Sequence, residues 1–153
     1  MAAETILNKV IETASTISEK VDEIKEDIWG EEQKLIIEEF RESSSQKVKD
    51  ILNNLNNSSE LFDRAGFHLS NLNISLGIPP EISSEFKAIK IITMEERETL
   101  ISEVADNRIV TLVMKCLFKA NDFYDKIKFG TYKLDVVNIT LGLTPGINMN
   151  FQR

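Results

Sequence analysis

One cysteine, three prolines, six glycines and one histidine occur in 153 residues, and each shortage excludes something. A lone Cys116 makes an intrachain disulfide impossible. It stands among Leu112, Val113, Leu117 and Ala120, so it reads as a small buried hydrophobe rather than a reactive or metal-binding thiol. Scarce glycine and proline argue against a collagen-like or loop-rich chain and for long regular elements. A zinc site needs more His and Cys ligands than His68 and Cys116 supply, and no helical stretch carries the Glu-x-x-His pairs of a di-iron bundle. No Gly-rich phosphate loop or G-x-S-x-G elbow occurs. No cofactor, metal or catalytic residue is therefore assigned, and the chain reads as no enzyme. The consecutive pairs Glu31-Glu32, Glu38-Glu39 and Glu95-Glu96 fall on different helix aspects and read as solvated.

No apolar run approaches the ~18 residues of a membrane-spanning helix. Residues 1–15 show no basic region followed by an apolar core, so they are not an export signal. The expected location is the cytoplasm. Basic charge is also in deficit. The net charge is −7, which repels nucleic-acid phosphate, so no nucleic-acid partner is expected. Residues 1–60 carry that whole excess, with seven Lys/Arg against fourteen Asp/Glu, while residues 61–153 are neutral. An acidic N-terminal third offers a contact for a basic partner.

What is present is pattern. At this length the chain is expected to form a single domain, residues 1–153. It can bury roughly 68–70% of the surface its unfolded form exposes. Leu7, Val10, Ala14, Ile17, Val21, Ile24 and Ile28 recur at alternating spacings of three and four. That is an a/d heptad stripe, and residues 1–30 read as a long heptad helix. A second helix is expected from about Glu31 to Phe62, through Leu35, Ile36, Phe40, Val48, Ile51, Leu52 and Leu55. A polar stretch, residues 41–47, can bend or interrupt it, and the Asn-rich residues 53–59 have poor helix propensity. A third helix begins at the capping box Thr93-Met94-Glu95-Glu96 and runs to Gly130, with a break or kink expected at Asp106-Asn107-Arg108.

Between the helices the period changes to two. Leu72, Ile74, Leu76 and Ile78 alternate with Asn71, Asn73 and Ser75, as in a half-buried strand. Pro79-Pro80-Glu81 reads as a turn, and residues 82–92 as a return strand containing Phe86, Ile89 and Ile91. The segment Leu69–Ile82 aligns without gaps on Leu134–Ile147, with seven of fourteen positions identical and an offset of 65 residues. Two helix-plus-hairpin repeats are therefore expected, residues 31–94 and 95–153. Ile74 and Ile139 should both be buried, with Asn73 and Asn138 on the opposite face.

The expected fold class is α+β and mainly helical. Long helices form a bundle or coiled coil, and two sequence-similar β-hairpins make a small antiparallel sheet. The expected function is a non-enzymatic assembly, scaffold or partner-binding protein that self-associates through the heptad stripe. An a/d stripe serves equally for packing within one chain or between two. One alternative is peripheral membrane binding. It would use the apolar hairpin, or the helix in which Lys115, Lys119, Lys126 and Lys128 interleave with Phe118, Phe123, Tyr124 and Phe129. A weaker alternative is an enzyme of unknown type centred on His68, with Arg64 nearby.

Overall fold

A computed structural model describes residues 31–41, 44–77, 80–128 and 130–153. Five helices and four strands follow one another there: α1 (Glu31–Arg41), α2 (Ser45–Asn57), α3 (Ser59–Arg64), β1 (Phe67–Ser75), β2 (Glu81–Ala88), α4 (Met94–Val104), α5 (Arg108–Ile127), β3 (Lys133–Leu141) and β4 (Gly146–Gln152).

Long helices forming a bundle or coiled coil are not what the described residues build. The longest helix, α5, has 20 residues, and α3 has only 6. The interruptions are chemical. Ser44 turns extended and its hydroxyl accepts from the Lys47 N–H, starting α2 afresh. Such a cap satisfies a backbone donor that a continuous helix would satisfy internally. Asn107 does the same for α5, accepting from Val110 N–H, and Thr93 caps α4 through Glu96 N–H. The expected helix from 31 to 62 is thus three helices, and the one from Thr93 to Gly130 is two.

The strands form one antiparallel sheet in the order β1-β2-β3-β4, a single meander in which chain neighbours are sheet neighbours. β1 pairs Leu69 with Phe86 and Ile74 with Ile82. β3 pairs Leu134 with Phe151 and Ile139 with Ile147. These registers coincide under the 65-residue offset of the sequence repeat. So do the bulges, which leave out Ser70 in β1 and Asp135 in β3.

The helices pack on one face of this sheet, α3 against β1 and α5 against β3, with α1, α2 and α4 packed on α5. Ile82 and Phe86 of β2, with Val137, Ile139 and Leu141 of β3, are fully buried beneath them. The Phe62 ring of α3 meets Phe86 edge-on at 5.0 Å, the favoured geometry of an aromatic pair. α5 is the central helix: eleven of its residues are buried, among them Val113, Cys116 and Leu117. The other sheet face carries rows of short polar side chains, Asn71–Glu85–Asn138–Asn148 and Asn73–Ser83–Thr140. Ser84 is the polar exception on the buried face. Its hydroxyl donates to the Ile139 carbonyl across the β2–β3 joint at 3.1 Å, which satisfies the group inside the core.

The two copies of the repeated strand have different fates. Ile139 is fully buried, whereas Ile74 is 42% exposed. β3 lies inside the sheet and β1 at its edge, so the same alternation meets a full helical layer once and a rim once. The expectation that both isoleucines are buried fails for Ile74.

Candidate interaction surfaces

The expected interface residues Leu7, Val10, Ala14, Ile17, Val21, Ile24 and Ile28 lie outside the described residues. The surfaces that can be described are elsewhere.

The first follows β2. The return strand expected over 82–92 leaves the ladder at Ala88. Gly66, at φ +96°, precedes β1, and its carbonyl accepts from both Ile89 N–H (2.8 Å) and Lys90 N–H (3.3 Å). A side chain at 66 would collide with the Lys90 carbonyl. That crossing takes the chain off the sheet, and the extended connector presents Ile89 (56% exposed), Ile91 (70%) and Met94 (66%), while Ile92 turns inward. Beside it opens a groove of about 530 Å³ between the connector, the last turns of α5 and the start of β3. Ile89, Ile91 and Leu134 supply apolar wall, Lys90, Lys128 and Lys133 supply a basic rim, and Asn121 of α5 lines it from a buried position. Lys128 pairs with Asp125 at 3.0 Å. Tyr124 braces this end by donating from its hydroxyl to the Tyr132 carbonyl (2.8 Å).

The second surface is the free rim of β1. Ile74 and Leu76, the latter 81% exposed, face a groove of about 280 Å³ against Val48, Lys49 and Leu52 of α2.

A third cavity, about 420 Å³, lies where the two helix breaks meet and is polar. Glu39 anchors it, accepting from Lys47 Nζ (2.9 Å) and Arg108 Nη1 (3.1 Å) and so tying α1 to α2 and α5. Burial by itself raises the Glu39 carboxyl pKa, but the hydrogen bonds and charges of Lys47 and Arg108 outweigh it and hold the group below its ordinary value.

The residues considered for other chemistry are dispersed. His68 Nδ1 lies 2.8 Å from Asp63 Oδ1 on an exposed corner, and Arg64 is engaged by Glu103 at 2.8 Å. Cys116 is buried, and desolvation pushes its thiol up to about 12. The basic, aromatic stretch of α5 does not form one face. Phe118 and Phe123 are buried and Tyr124 is half-buried, while Lys115 points outward and Lys119 reaches Glu32 at 3.2 Å. Phe129 lies outside the described residues. Phe118 instead carries the Arg97 guanidinium 5.0 Å above its ring, and Arg97 also donates to Asp122 at 2.8 Å. Among the described residues, no group of three or more His, Cys, Asp or Glu is placed to hold a metal ion, and no helix is long and apolar enough to cross a membrane.

Sequence reasoning placed Ile89 and Ile91 on a strand and so missed the connector. The available signal was Gly66, which stands just before the first strand and permits a crossing there.

No family model matches this chain, and comparison with curated proteins and with solved structures gives no match.

Proposed function

We propose that the protein is a non-enzymatic assembly module. In this reading the amphipathic stripe of residues 1–30 seats in the connector groove of a second copy. The observation that carries it is the run Ile89, Ile91 and Met94, apolar and exposed beside an open groove. Contiguous exposed apolar side chains with a polar rim mark interaction sites. Charge supports the choice of occupant. Residues 1–30 hold seven Asp/Glu against three Lys, and the groove carries Lys90, Lys128 and Lys133 against Asp125, which pairs with Lys128. A cytoplasmic location goes with this reading.

Light scattering on the full chain tests it. The wild-type mass should exceed the 17.4 kDa of one chain. Ile17→Glu and Ile91→Glu should each lower that mass while helix content is retained, because each forces a carboxylate into an apolar contact. A wild-type mass of one chain at every concentration overturns the reading. Binding to anionic vesicles that is lost in Ile91→Glu would assign the same strip to a lipid surface instead.

A further inference from the structure

The joint between β2 and β3 is the place where the two repeats meet. There Ile82 pairs with Leu141, Ser84 with Ile139 and Phe86 with Val137. Under the 65-residue offset β2 corresponds to β4, and β3 corresponds to β1. β4 and β1 are the two free edges of the sheet. The molecule therefore carries, at its two rims, the same two strands that already fit each other at its centre.

The exposure of β1 follows this correspondence residue by residue. Leu141 and Ile139 are fully buried, while their counterparts Leu76 and Ile74 are 81% and 42% exposed. Leu117 of α5 is buried, while its counterpart Leu52 of α2 is only half-buried and lines the open groove beside β1. What the first repeat lacks is what the second repeat receives: a strand on its outer side. Free edges are usually guarded by lysine or proline. Neither residue occurs in Leu69–Leu76 or in β4. The Ser70 bulge interrupts pairing only at the His68 end of β1.

We propose that β4 of one copy adds antiparallel to β1 of a second copy, in the register of the internal joint: Ile147 opposite Leu76, Met149 opposite Ile74, and Phe151 opposite Leu72. The contact is head-to-tail, so repetition gives a ring or an open fibre rather than a two-fold dimer. It is separate from the connector groove and stands whether or not that groove is occupied.

Two single-cysteine additions test it, Ile74→Cys and Met149→Cys, treated with a short thiol cross-linker. Cys116 is too buried to react. Directly opposed side chains on neighbouring strands lie within reach of such a reagent. Mixing the two variants should give several-fold more cross-linked dimer than either alone, and one chain carrying both should give a ladder of multiples. If Ile74→Cys links to itself as well as to Met149→Cys, the edges pair symmetrically and the proposal is wrong. If neither combination links at high concentration while both variants keep the wild-type circular dichroism, it is also wrong. Should either variant lose its fold, the neighbouring pair Leu76→Cys and Ile147→Cys, at positions exposed and half-buried, answers the same question.

Discussion

Gly66 shows how much of the surface depends on one atom's absence. Its φ of +96° and the Lys90 carbonyl above it leave no room for a Cβ. Gly66→Ala should cost ~1–3 kcal/mol, the range for a backbone forced to hold a disfavoured conformation, and thermal unfolding would measure it. It should also displace Ile89 and Ile91, because the Ile89 and Lys90 N–H groups depend on that carbonyl crossing. The two repeated isoleucines give a second residue-scale expectation. Ile139→Ala removes a fully buried side chain and should cost about 2–5 kcal/mol. Ile74→Ala removes one that is 42% exposed in the single chain, so its loss should be clearly smaller in a denaturant titration at high dilution. The gap should narrow as concentration rises and a second copy covers β1.

Among the elements, the ion pairs at the helix breaks set a pH dependence. Glu39 is held ionised by Lys47 and Arg108 below its ordinary value. A depressed carboxyl contributes stability that is present above the unfolded-state pKa and is lost as pH falls through the folded one. Lys47 and Arg108 are about half exposed, so the contribution is about 0.5–1 kcal/mol. Glu39→Gln should lower stability near neutral pH and flatten the fall below about pH 4.3, the ordinary glutamate value. Melting curves from neutral to acid conditions would show it.

Much of this level was legible beforehand. Thr93-x-x-Glu96 marks a cap because a hydroxyl three residues ahead of an N–H can accept from it, whatever the tertiary fold. The Leu69–Ile82 repeat marked the strands, but not that all four join in one meander through the β2–β3 pairing. Helix length was legible in part. The polar stretch 41–47 and Asp106-Asn107-Arg108 marked places for a break, but that each is a full restart was not: it depends on Ser44 capping Lys47 N–H and Asn107 capping Val110 N–H. Edge position was not legible either. Alternation tells which way Ile74 points, but whether anything lies there depends on strand order. Ile89 and Ile91 fall out of phase with Ile82 and Phe86, on the parity of the polar Ser83, Glu85 and Lys87, so the apolar alternation of β2 breaks where the ladder ends.

Across the whole molecule, charge and apolar surface are distributed unevenly. The acidic excess belongs to residues 1–60, and the connector groove is rimmed by Lys90, Lys128 and Lys133. Attraction between exposed charges is screened beyond about 8 Å at physiological ionic strength. Assembly through the groove should therefore weaken as salt is added. Reversing Lys90 and Lys133 to Glu should weaken it at low salt and flatten that salt dependence. Sedimentation velocity across a salt series separates this from the β1–β4 contact, whose strands carry no charge from Leu69 to Ser75 or in β4 and whose association should persist.

The meander order also governs how the chain reaches this state. The β1–β2 and β3–β4 interfaces are local hairpins, and such contacts form early. The β2–β3 joint must wait for α4 and α5, the connection between its strands, because closing a long loop costs entropy before any contact repays it. Until then each chain displays an open β2 and an open β3 that any second chain can supply equally well. Refolding should therefore be unimolecular when dilute. As concentration rises it should produce dimers with exchanged hairpins, the Ser84 hydroxyl of one chain meeting the Ile139 carbonyl of the other.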